Sequence, residues 1–129
     1  MSAAFLSPLR LEKTGPARWV LIDPLQFRSV RYSGVFVVPA GFETDLTSVP
    51  RALWAVIPKV DRYDAAAVLH DAGYEGRLTT RAGHRIHTTK TVADALFHEA
   101  CRALGVGRTR AAVMYTAVRL WGDPVRRVA

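Results

Sequence analysis

A histidine and an aspartate stand side by side at His70-Asp71, at the end of the apolar run Ala65-Ala66-Ala67-Val68-Leu69. Imidazole and carboxylate are ligands for a divalent ion such as Zn, Mn or Mg, and they also serve as general acids and bases. Adjacent residues on a helix project about 100° apart, so the dipeptide makes no site by itself. Asp94 is a third candidate. It shares a helical face with His98 and Cys101 at i, i+4 and i+7. It also flanks an apolar stripe, where a bare carboxylate is costly and needs a partner. His70 and Arg119 are able to supply one. Asp45 and Ser48 lie in Gly41-Phe42-Glu43-Thr44-Asp45-Leu46-Thr47-Ser48-Val49-Pro50-Arg51, which leaves a hydrophobic strand and enters a helix. Such junctions sit at sheet ends, where sites form.

Taken as chemistry, these residues point to metal-assisted hydrolysis. His70, Asp71 and Asp94 would hold the ion, with Asp45 as a further ligand or behind one. The ion would activate water. Tyr74 and Arg51 would hold an anionic substrate or a developing negative charge. The catalytic candidates are then Asp45, Arg51, His70, Asp71 and Tyr74. Each also has a structural explanation. Thr44, Asp45 and Ser48 are types that satisfy turn amides. A histidine near a helix C-terminus is favoured by the helix dipole. Asp45 can pair with Arg51 or His70, and Asp94 with Arg119. Cys101 reads as a small core residue. His84 and His87 lie in a polar loop and read as solvated, although their spacing leaves a metal role open.

The elements that must position these groups fall in two halves. The first reads as strands: Trp19 to Ile22, stopped by Asp23-Pro24; Leu25 to Tyr32, with Leu25, Phe27 and Ser29 on one face; and Val35 to Val38, after the turn signal Ser33-Gly34. The second half reads as helices. A short one starts at Ser48-Val49-Pro50-Arg51, with Pro58 past its end. A second covers about 64–73. A third begins at Thr88 or Thr89 and runs to about 104, burying Ala93, Leu96, Phe97, Ala100 and Leu104. A fourth covers about 108–121, with Val113 or Met114, Ala117, Val118 and Trp121 inward. The stretch from Arg77 to His87 reads as an exposed loop. The fold expected is α+β: an N-terminal antiparallel β meander, then about four short helices, in a single layer pair. With 129 residues and no linker or repeat, residues 1–129 read as one domain, with its core at about 19–122.

Composition narrows the partners. Half of the residues are hydrophobic, enough to bury a core. A single cysteine allows no internal disulfide. There is no signal-peptide pattern at the N-terminus and no apolar run long enough to span a bilayer. The net charge of +7 suits an anionic polymer. The arginines are scattered, however, and no basic stripe interleaved with aromatics is visible in the chain order.

One ordered set of motifs resembles a known family. It comprises Val38-Pro39-Ala40-Gly41-Phe42-x-Thr44-Asp45-x-x-Ser48-Val49-Pro50-Arg51, Ala66-x-x-Leu69-His70-Asp71-x-x-Tyr74, Ala93-Asp94-x-x-Phe97 and Ala117-Val118-Arg119-x-x-Gly122. This is similar to a family of small phage and prophage proteins catalogued only as a domain of unknown function. The likeness runs from about Trp19 to Gly122. It implies a late-gene setting near tail or lysis genes, in the host cytoplasm during phage production or within the virion. The implied partners are virion proteins or a second copy. No established activity is implied. The family's polar signature falls on Asp45, Ser48, Arg51, His70, Asp71, Tyr74 and Asp94. His98 and Cys101 lie outside it. Three functions follow as expectations: a metal-dependent hydrolase, a virion or assembly component with a structural polar cluster, or a basic binder of nucleic acid or a host factor.

Overall fold

The computed structural model describes residues 2–16, 18–44 and 63–121, with the backbone alone at Tyr63 and Trp121. Six strands come first: β1 (Ala4–Phe5), β2 (Leu11–Gly15), β3 (Arg18–Leu21), β4 (Leu25–Ser29), β5 (Gly34–Val38) and β6 (Glu43–Thr44). Three helices follow: α1 (Tyr63–Tyr74), α2 (Lys90–Ala103) and α3 (Arg108–Trp121). The α+β class and the order of strands before helices agree with the sequence.

The single meander does not. Two antiparallel sheets form, in the orders β1-β4-β5 and β2-β3-β6. β3 and β4 are consecutive yet do not pair. Pro24, which lacks an N–H, lies in the corner between them, and Arg10 pairs with Asp23 at 2.6 Å on that corner. The chain before residue 19 then supplies each sheet with a strand. Phe5 lies opposite Phe27, and Leu11 opposite Leu21. The described residues hold three helices rather than four. The short helix expected from Pro50 falls outside them.

β4 alternates as its sequence requires: Leu25, Phe27 and Ser29 are buried, while Gln26 and Arg28 are not. The α2 stripe is buried at Ala93, Leu96, Phe97 and Ala100, joined by Asp94, Ala95 and Cys101. Thr89 caps α2, its hydroxyl accepting from the Val92 amide at 3.2 Å. Leu104 is only partly buried. On α3 the inward residue is Met114; Val113 is exposed. The polar stretch after α1 is better anchored than its composition suggests. Leu78 is fully buried, and Thr79 exchanges two 2.9 Å backbone hydrogen bonds with Val37 of β5.

α1 and α2 pack closely because Gly73 lacks a side chain. A Cβ there would stand 3.0 Å from the Ala93 Cβ. Helix propensity alone would make Gly73→Ala stabilising by about 0.5–1 kcal/mol. The contact reverses the sign, since Ala93 has no flexible end to move. A net loss of about 1 kcal/mol is expected in urea unfolding. A gain would show that the helices part at little cost.

Candidate functional site

Three of the sequence candidates meet. His70 and Tyr74 are one turn apart on α1, and Asp94 lies in the second turn of α2. The Asp94 carboxylate is fully buried and accepts from four side chains. His70 Nε2 stands 2.7 Å and the Tyr74 hydroxyl 3.0 Å from Oδ1. Lys90 Nζ stands 2.8 Å and Arg119 Nη1 3.1 Å from Oδ2. Arg119 reaches in from α3, so the carboxylate joins all three helices. Lys90 also donates to the carbonyls of Val118 and Arg119, at 3.0 and 3.1 Å. Those carbonyls belong to the last turn of α3, where helical partners run out and a cation is favoured.

Burial alone would raise the Asp94 pKa. The interactions with His70, Lys90 and Tyr74 outweigh it and hold the carboxyl below its ordinary 3.8. Asp94 is therefore ionised at neutral pH and only accepts. His70 Nε2 must carry the hydrogen between them. The opposite ring nitrogen, Nδ1, is buried and has no hydrogen-bond partner among the described residues. Such orphaned groups are rare in folded interiors. The His70 ring packs against Tyr74 and Phe97, with centroids 4.3 and 5.1 Å away.

This geometry bears on a metal. Nε2 and Oδ1 bond each other directly, and both Asp94 oxygens are each shared by two donors. A divalent ion on Asp94 would have to displace two cations, so the set His70, Asp71 and Asp94 does not fit one as placed. Among the described residues no three His, Cys, Asp or Glu side chains group closely enough to hold a metal. Among the hub's described atoms, His70 Nδ1 is a nitrogen no hydrogen bond occupies. With an ion there, Asp94 would orient the ring from the far side, as carboxylates behind metal-bound histidines do.

Asp71 is buried and has an interaction partner. Asp45, Ser48 and Arg51 fall outside the described residues. His84 and His87 are exposed. Cys101 is fully buried, and burial pushes its thiol up to about 12, as an inert core residue. His98 is half-buried and packs edge-on against Tyr115 of α3, with centroids 5.4 Å apart.

Two participants were not singled out from the sequence. Lys90 had a usable signal, its i, i+4 spacing to Asp94. Glu99 had none. Its carboxylate accepts from the Ser29 hydroxyl at 2.6 Å and from the Val30 and Arg31 amides at 2.9 and 3.1 Å, seating the β4–β5 turn on α2. That partnership spans about seventy residues of chain.

An α+β chain whose helices close on one buried carboxylate is the class that fold and hub define. Residues 19–118 match the family described as "Protein of unknown function (DUF1353)", and the chain belongs to it. No curated protein and no solved structure matches.

Proposed function

We propose that this chain is a structural or assembly component of a phage particle, and that the Asp94 hub is its internal joint. The phage setting rests on the resemblance of the ordered motifs. The structural role rests on one observation: Asp94 is closed to solvent and satisfied by four donors drawn from three helices. A hydrolytic ion would need that carboxylate or its neighbours free. Mass spectrometry of purified particles tests the proposal. The chain is expected in fixed ratio to a head or tail protein. Its absence from particles made by cells that express it would sink the proposal.

A second reading has the orphaned His70 Nδ1 in its favour. An imidazole fixed by a carboxylate on one nitrogen is set to accept a proton or an ion on the other. This is the hydrolase-like alternative, with Zn or Mn as the ion. Elemental analysis of untagged protein and melting with added Zn²⁺ separate the two readings. The structural reading expects no stoichiometric metal, and the same melting temperature with zinc or chelator. A zinc-dependent rise that His70→Ala abolishes would favour the second.

A further inference from the structure

The basic charge of this chain is scattered along the sequence, but the fold gathers part of it. Glu99 docks the β4–β5 turn on α2 through Ser29, Val30 and Arg31. This seats Arg31 beside the outer face of α2. His98 precedes Glu99 on that helix, and Arg102 follows His98 by one turn. Arg31 and Arg102 are both exposed. The Glu99 carboxylate, the nearest counter-charge, is spent on the turn. Aromatic rings alternate with the cations. The Arg31 guanidinium lies 5.8 Å from the Tyr32 ring centroid, and the His98 ring meets Tyr115 at 5.4 Å. Tyr32, His98 and Tyr115 all keep part of their surface in solvent.

We propose that Arg31, Tyr32, His98, Arg102 and Tyr115 form a binding surface for single-stranded nucleic acid. The arginines would meet phosphates. The ring faces would take unstacked bases, which a duplex keeps paired and stacked. An isolated phosphate or an acidic peptide would use the cations and leave the rings idle. The local field is positive, as the patch requires. His98 is held below its ordinary 6.5, first by partial burial, then by the charges of Arg102 and Arg31, with Glu99 opposing less strongly. A bound phosphate would offset that repulsion. None of these five residues is among the four partners of Asp94, so the surface does not depend on the assembly role.

Fluorescence anisotropy with the full chain provides the test. The probes are a labelled oligothymidylate of about 20 nucleotides and a duplex of equal length. The single strand is expected to bind more tightly than the duplex, with log K falling linearly with log salt. Arg31→Gln combined with Arg102→Gln is expected to weaken binding about ten-fold or more. Arg18→Gln with Arg85→Gln removes the same charge elsewhere on the surface, and should change binding far less. Arg31→Gln alone is a second variant, at a side chain that makes no ion pair among the described residues. By NMR, the His98 pKa should rise when the oligonucleotide binds. Equal affinity for duplex, equal loss in both double variants, or an unmoved His98 would each overturn the proposal.

Discussion

Asp94→Ala is expected to cost about 3–5 kcal/mol of stability, the range for breaking a buried ion pair from one side. The reason lies in what stays behind. His70 is 1% exposed and Tyr74 3%, so neither can turn to water when Asp94 leaves; Tyr74 keeps the Val118 carbonyl at 3.5 Å, and the His70 donor is the one stranded. The Lys90 and Arg119 side chains retain 15% and 37% of their exposure and can relax outward. The cost therefore concentrates on the α1 side. Lys90 would also loosen its hold on the last carbonyls of α3, and the packing of α2 against α3 should fray with it. Asp94→Asn keeps the volume but replaces one oxygen with an N–H₂ group. That group cannot face Lys90 and Arg119, which only donate; facing His70 and Tyr74, it is accommodated only if the imidazole hydrogen moves to Nδ1 and the Tyr74 hydroxyl turns to accept. The asparagine variant still removes the charge that holds Lys90 and Arg119, and should lose a large part of what the alanine variant loses. Urea unfolding measures both. A loss below about 1 kcal/mol would mean that the hub is worth no more than a surface pair.

Why the sequence revealed some of this and not the rest follows from range. Local periodicity placed α3 at 108–121, and its limits agree with Arg108–Trp121. The limits of α2 came within a residue or two for the same reason, since Thr89 caps it locally. The inward face of β4 followed from alternation. Strand partners are a different kind of information. Leu11-Glu12-Lys13-Thr14-Gly15 is mostly polar and exposed, and becomes a strand only because β3 lies beside it. β6 is two residues long and exists by pairing with Trp19 and Val20. A reading that began the core at residue 19 could not divide six strands between two sheets.

The site follows the same rule. The expense of a bare carboxylate on a buried stripe required a partner for Asp94, with His70 and Arg119 the candidates; both bind it at once. What spacing could not reveal was saturation. One or two partners would have left oxygens free for an ion, whereas four leave none. The metal reading and the structural reading share His70 and Asp94, and differ there in which atoms face each other. The basic patch is hidden by the same logic: Arg31 and Arg102 are remote in sequence, and both charges act on His98 once Glu99 holds the turn on α2.

Stability should also depend on pH through Asp94, with a definite sign. Its folded pKa lies below 3.8, the value taken for the unfolded chain. The unfolded state therefore binds the proton first on acidification. The carboxylate's contribution is full above that ordinary value. It is lost as pH falls through it and on through the depressed folded value. From pH 7 to about 5 the Asp94 contribution should stay flat, and below that it should shrink. Other carboxylates titrate in the same range, so the wild-type curve alone would not isolate it. The difference between wild type and Asp94→Asn does, because the shared groups cancel. That difference should be largest at neutral pH and narrow steadily below about pH 4. It is measured as the gap between urea midpoints across pH 3 to 7, each converted with its own slope. A gap that stayed constant over that range would show that the Asp94 charge contributes nothing beyond its shape, and the hub would have to be read as packing alone.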